Sequence, residues 1–305
     1  LITRLPAVVA LLLGAGACAS APRAAAPQTA EPRVTATSTP ASGADLGLPL
    51  DAYDLTPQES LQIERAKGMF LQACMKRYGF DLAVPQARVP AYPKNVSLLA
   101  WLGYQQVGRY GYQGPPGFNE EVAAASRNGR RGITVPPEQL PVFDGTVASF
   151  KGRPVPEGGC DGDLERRLSA GTDDSDRDIE ALQQEANEQA SEDGRFRQVM
   201  QAWSACMARA GLRYTDPEDA EGDPRWSSAG EDDGHPAPSA IEVRTAVTDE
   251  RCRLQVNLSG VLQSLISAYE QRLIAQDGAQ IRRIQDQLKQ RVRNAAAMTM
   301  DPHPR

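Results

Sequence analysis

Ala73-Cys74-Met75-Lys76-Arg77-Tyr78-Gly79-Phe80 returns in the second half of the chain as Ala205-Cys206-Met207-Ala208-Arg209-Ala210-Gly211-Leu212. Both copies read Ala-Cys-Met-x-Arg-x-Gly, and each closes a helical pattern. Before the first, Thr56-Pro57-Gln58-Glu59 has the form of a helix start, with a capping hydroxyl, proline at the first helical position and glutamate three places on. Leu61, Gly68, Leu71, Met75 and Tyr78 then keep helical spacing until Gly79, a residue suited to the left-handed turn after a helix. Before the second, Phe196, Val199, Met200, Trp203, Cys206, Met207 and Ala210 recur in the i, i+3, i+4, i+7 rhythm of a buried face, and Gly211 ends it. The motif is therefore the last turn of a helix that carries a cysteine inward.

Each motif is followed by a further cysteine that opens another apolar-spaced segment, Cys160 with Leu164 and Leu168, and Cys252 with Val256. The chain has five cysteines. An exported protein seldom keeps a free thiol, so an odd count sets one apart and leaves four to pair. Four cysteines permit three pairings, and the repeated motif favours Cys74 with Cys160 and Cys206 with Cys252, one staple for each half. None of the four has the close spacing of a zinc knuckle or a dithiol redox site, so no metal or cofactor is called for.

Outward from the motifs, 81–159 dissolves into proline, glycine and scattered aromatics, with room for a few short strands or one short helix near Asn119 to Arg127. A helical region starts near Asp173 with an acidic first turn and runs through Ile179, Leu182 and Ala186 to a break at Gly194. After a solvated loop over 215–238, Ser239-Ala240-Ile241-Glu242 forms another capping box. Leu254, Leu258, Val261, Leu265, Tyr269 and Leu273 then make one stripe, which Ile281, Ile284, Leu288 and Val292 continue past Gly278. These spacings predict a mainly α fold: a disulfide-stapled helical body, an irregular Pro/Gly/aromatic-rich insertion, and a long C-terminal helix or helical hairpin.

The start of the chain belongs to targeting. Arg4, the apolar run Leu5 to Leu13 and the small residues Gly14 to Ala17 before Cys18 read as a signal peptide over 1–18. The apolar run is too short to span a bilayer as a permanent helix. Ala15-Gly16-Ala17-Cys18 resembles a bacterial lipobox, departing from it at Ala15, and Cys18 is the cysteine left over from pairing. From Ala19 to about Leu48 the composition of Ala, Pro, Thr and Ser predicts a disordered tether, taken as 19–50. The remainder divides into a first stapled unit over 51–172, a helical second unit over 173–298 and a disordered tail over 299–305.

The charge balance excludes one large class of partner. With 33 Lys and Arg against 39 Asp and Glu the net charge is −6, and no basic excess exists to neutralise phosphates, so nucleic acid is not expected. His235 and His303, the two histidines, lie in an acidic loop and a Pro-rich tail, flanks that do not hold a general base rigid. Asp174, Asp176, Asp178 and Glu185 imitate part of a calcium loop, but Ile179 stands where its sharp turn needs glycine. Glu231, Asp232 and Asp233 read as a solvated run. The recognition candidates are Trp101, Tyr104, Tyr110 and Tyr112, since aromatics among glycines stack on sugars or peptides at low entropic cost. The competing expectation is that they cover the disulfides and helix core.

The lipobox-like start, the Thr/Pro/Ala stalk, the paired Ala-Cys-Met motifs and Val247-Thr248-Asp249-Glu250-Arg251-Cys252 leading to Ser267-Ala268-Tyr269-Glu270 together resemble uncharacterised predicted secreted lipoproteins of high-GC Gram-positive bacteria. The likeness runs from Thr56 onward and its motifs are structural. It implies a lipid-anchored position on the extracytoplasmic face of the cell membrane, and brings no known activity with it. The expectation is thus a non-catalytic interaction or accessory protein of an envelope complex, with the long C-terminal helix as contact surface. A cell-wall enzyme, or a carbohydrate-binding module using Trp101 to Tyr112, is the alternative, and plain secretion the alternative location.

Overall fold

A computed structural model describes residues 30–42, 45–99, 103–173, 177–226 and 237–300. The signal peptide, Cys18, Trp101, Asp174, Asp176, Glu231, Asp232, Asp233, both histidines and most of the tail lie outside the described residues.

The protein is mainly helical, in the order α1 (Pro57–Arg77), α2 (Val96–Leu99), α3 (Val107–Tyr110), α4 (Phe118–Ser126), α5 (Leu140–Phe143), α6 (Gly159–Leu168), α7 (Ile179–Ser191), α8 (Gly194–Arg209), α9 (Pro217–Glu221), α10 (Ala240–Gln255) and α11 (Leu258–Met300). Between α5 and α6 a two-stranded hairpin pairs β1 (Ser149–Phe150) with β2 (Arg153–Pro154), Ser149 opposite Pro154 and Phe150 opposite Arg153. The aromatic-rich insertion therefore folds into short helices and this hairpin, with α4 where a single helix was expected.

The first start signal works as read. Thr56 Oγ1 accepts the Glu59 amide at 3.3 Å while Glu59 Oε2 accepts the Thr56 amide at 2.8 Å, closing the capping box. Both repeated motifs end alike. The amide of Gly79 donates to Lys76 and that of Phe80 to Met75, and likewise Gly211 to Ala208 and Leu212 to Met207. Gly79 and Gly211 take φ of 86° and 81°, the left-handed turn that spares them a Cβ clash. Met75 and Met207 are fully buried just inside these turns. The cysteines pair as the motif favoured: Cys74 with Cys160 at a Cα separation of 5.9 Å, and Cys206 with Cys252 at 5.7 Å.

Three apolar clusters fill the molecule. One packs α1 against α5, α6 and the far end of α11, around Cys74–Cys160. A second gathers α3, α8, α9 and α10 around Cys206–Cys252. The third joins α7 to α11 through Ile179, Leu182, Ala186, Leu265, Ile266, Tyr269 and Ile284. Because α11 reaches all three neighbourhoods, the chain from Pro32 onward forms one compact unit rather than two joined at 172/173.

Five further expectations need correcting. The tether ends well before residue 50: from Pro32 to Tyr53 the described chain lies along α11 as a strap, with Leu46, Leu48 and Leu50 buried in the third cluster. Backbone groups hold it, which is why a composition poor in large side chains concealed it. Asn257 Nδ2 donates to the Ser38 carbonyl at 2.8 Å, the Ser38 amide to Ser264 Oγ at 2.9 Å, and Asn95 Nδ2 to the Leu46 carbonyl at 2.9 Å. The C-terminal stripe does not include Leu254, which is 56% exposed. Asn257, with φ of 53°, breaks α10 from α11 and turns the two faces apart. Cys252 consequently closes α10 instead of opening a segment, whereas Cys160 does open α6. Finally, Ser239 caps α10 through the Glu242 amide at 3.1 Å, but the Glu242 carboxylate turns inward and accepts the Tyr112 amide at 3.2 Å. The acidic start near Asp173 resolves to a helix beginning at Ile179, capped by Asp178, and the Gly194 break is the α7–α8 turn. A second interruption, at Asp277 beside Gly278, kinks α11.

Candidate functional site: a cleft above a buried charge cluster

Asp249 and Arg253 sit one turn apart on α10, on the face that also carries Ala246 and Cys252 into the core. Asp249 is fully buried. Its Oδ1 accepts Trp203 Nε1 of α8 at 2.7 Å and Arg253 Nε at 2.8 Å, and its Oδ2 accepts Arg253 Nη2 at 3.1 Å and the Tyr112 hydroxyl at 3.3 Å. Arg253 Nη2 also donates to Glu221 Oε1 of α9 at 2.6 Å. Three parts of the chain, α8, α10 and the insertion, thus meet on one carboxylate, and α9 joins them through Arg253. Burying an ion is tolerable when paired and hydrogen-bonded in this way. Burial and the adjacent Asp249 charge push the Tyr112 phenol far above its usual range, so it stays a proton donor. Burial likewise raises Glu221, with Arg253 opposing.

Above this cluster opens a cleft of about 920 Å³. Phe118 and Val122 of α4, Phe196 and Met200 of α8, and Leu258 and Leu262 of α11 supply apolar walls. Arg253 and Tyr112 reach its floor, and Glu218 and Glu221 stand at one side. The size, and a lining that is about half apolar and half polar or charged, suit a partner's side chains or a polar organic ligand.

The aromatic candidates are not gathered. Tyr104 meets Tyr92 edge-on, with ring centroids 5.7 Å apart. Tyr110 lies under the Arg109 guanidinium at 4.9 Å. Tyr112 stacks on Trp226 at 6.1 Å, inside the cluster around Cys206–Cys252. Of the described three, Tyr112 alone reaches the cleft, and as a core residue. Of the calcium-like stretch, the two described residues serve the structure: Asp178 accepts the Ala181 amide at 2.8 Å and Glu185 pairs with Arg177. Among the described residues no three His, Cys, Asp or Glu side chains are grouped to hold a metal ion, and no helix is long and apolar enough to cross a membrane.

Arg253 and Glu221 were not singled out from sequence; Trp203 was read only as part of a buried face, and Asp249 only as part of the 247–252 stretch. The available signal was Asp and Arg at i, i+4 on the same helical face as a disulfide cysteine, a pair that belongs on a solvated face unless it is buried with partners. The chain matches no family model, and no curated protein or solved structure is detectably similar to it.

Proposed function

We propose that the protein is an extracytoplasmic lipoprotein held to the cell membrane through Cys18, acting as a non-catalytic interaction or accessory subunit of an envelope complex. The observation that carries this reading is the cysteine balance: four of five cysteines are consumed in two disulfides, and the one left over follows small residues behind an apolar run. The buried Asp249 supports the non-catalytic part, because its lone pairs are engaged by tryptophan, arginine and tyrosine that join α8, α10 and the insertion. The contact surface moves from α11 to the cleft, since α11 turns its apolar stripe into the core.

Cys18→Ser is expected to release the protein to the medium or leave it unprocessed, and wild-type protein recovered wholly soluble with an unacylated N-terminus defeats the anchor. Retrieval of the anchored protein from its own membrane, with Phe118→Ala as the control that alters the cleft, tests the accessory role through loss of a co-purifying complex. The cleft's aromatic wall favours one second reading, a cell-wall carbohydrate-binding module. Peptidoglycan-fragment binding lost in Trp101→Ala or Phe118→Ala, with no complex retrieved, selects that reading.

A further inference from the structure

Glu270 lies in the apolar stripe of α11, four residues after Ile266 and three before Leu273, and is fully buried. A carboxyl there faces the core, where the strap crosses. Its Oε2 accepts the Leu50 amide at 2.8 Å, at the start of the short 3₁₀ turn Pro49–Tyr53, and its Oε1 has no hydrogen-bond partner. Leu46, Leu48 and Leu50 close over this part of the helix. A buried carboxylate oxygen without a partner is costly when ionised and far less so when it carries a proton.

The charged surroundings do not neutralise it. From the strap comes Asp51, whose carboxylate is already bound by Lys94 at 3.1 Å and by Gln183 of α7 at 3.1 Å. Lys94, just before α2, also pairs with Asp54 at 2.5 Å. Asp193 and Arg195 at the α7–α8 turn pair with one another at 2.6 Å, and Asp193 accepts the Tyr269 hydroxyl. Arg272 is directed to Gln189 of α7 at 2.6 Å. Burial accordingly raises Glu270 to about 7 from its ordinary 4.5; the Leu50 amide and Lys94 oppose the rise, and Asp51 adds to it.

We propose that Glu270 is a proton-operated latch for the strap: protonated, it seats the chain around Leu50 on α11, and ionised, it loosens that seating. The sign follows from linkage. With the strap lifted, the carboxyl meets water and returns toward 4.5, so the lifted form binds fewer protons between about 4.5 and about 7. Seating is tightest below that window, weakens as pH rises through it, and is weakest above about 7. The move from 4.5 to about 7 corresponds to a change of up to roughly 300-fold in the strap-opening equilibrium. On the anchored reading proposed above, acidity outside the membrane would tighten the strap that precedes the body. The latch itself depends only on the contacts of α11 and the strap, and stands or falls independently of the anchor.

Hydrogen exchange of the amides in 45–53, measured on the full exported chain from about pH 5 to about pH 8.5 and corrected for intrinsic exchange, tests it. The expected result is an opening equilibrium that rises by roughly 70-fold across that range in wild type and is flat in Glu270→Gln. A flat wild-type profile, or an equal slope in the variant, overturns the latch. Should the variant fail to fold, NMR titration of the Glu270 side-chain carboxyl in wild type decides: a midpoint near 7 supports the latch, and one near 4.5 overturns it.

Discussion

At the scale of single residues, placement in the core decides what a side chain does, and two carboxylates on buried helical faces show it. Asp249 is paired by Arg253 and bonded by Trp203 and Tyr112, so its removal takes the acceptor from the fully buried Trp203 Nε1 and one carboxylate from Arg253. Asp249→Ala should cost about 3 to 5 kcal/mol in urea unfolding, the range for breaking a buried ion pair from one side. A loss below about 1 kcal/mol sinks the view that this carboxylate joins the surrounding elements. Neither Asp249 nor Glu270 was legible beforehand, for one physical reason. Charged residues on a helical stripe look like a solvated edge until tertiary packing supplies a partner, and the partners here come from distant segments: Trp203 and Tyr112 for one, Leu50 for the other.

At the scale of elements, local signals were sufficient at the two ends of α1 and at the close of α8, and less so near Asp173 and Ser239. Thr56 with Glu59, Gly79 and Gly211 mark ends whose hydrogen bonds involve residues at most five apart, and the structure has those bonds. The strap has no such punctuation. It is held by its main chain and by alternate leucines at 46, 48 and 50, too brief a pattern to stand out beside a run of Ala, Pro and Thr. Gly260 of α11 marks where it crosses. A Cβ there would come within 2.0 Å of the Ser38 carbonyl oxygen and 2.4 Å of Asn257 Oδ1. Gly260→Ala should therefore lift the strap at a cost on the order of 1 to 3 kcal/mol, the range for overpacking. Limited proteolysis should then cut within 32–53 at low protease while α1 and α8 stay intact. Unchanged protection of the strap speaks against close docking at this glycine.

At the scale of the whole molecule, the two staples close separate neighbourhoods bridged by α11. They enclose sequence separations of 86 and 46 residues, for which chain entropy suggests about 4 to 5 kcal/mol each as an upper guide. The variant Cys206→Ser with Cys252→Ser should lower the urea midpoint and loosen Trp203 and Trp226, read by fluorescence, while the cluster around Phe70 and Leu164 keeps its amide protection. Simultaneous loss of protection in both clusters contradicts this separation. The repeated motif made the pairing legible because both cysteines of its two copies sit on helix ends of the same form. It did not reveal that one unit spans 32–305, because the packing of α1, α7 and α8 on α11 leaves no trace in any short window of sequence.

The joining of the strap to α11 also sets an order of events in time. Ser38 bonds to Ser264 and Leu50 to Glu270, so residues made early find their partners more than two hundred positions later. Each of the three apolar clusters contains a contribution from beyond residue 250: Ile284 in one, Ala295 in another, Cys252 and Leu258 in the third. A chain emerging from its amino end has therefore no finished core to collapse upon until nearly all of it has appeared, and closure of such distant loops is slow. Completion of the fold is deferred to the end of synthesis, so a chain released short of its last fifty residues has every cluster left open.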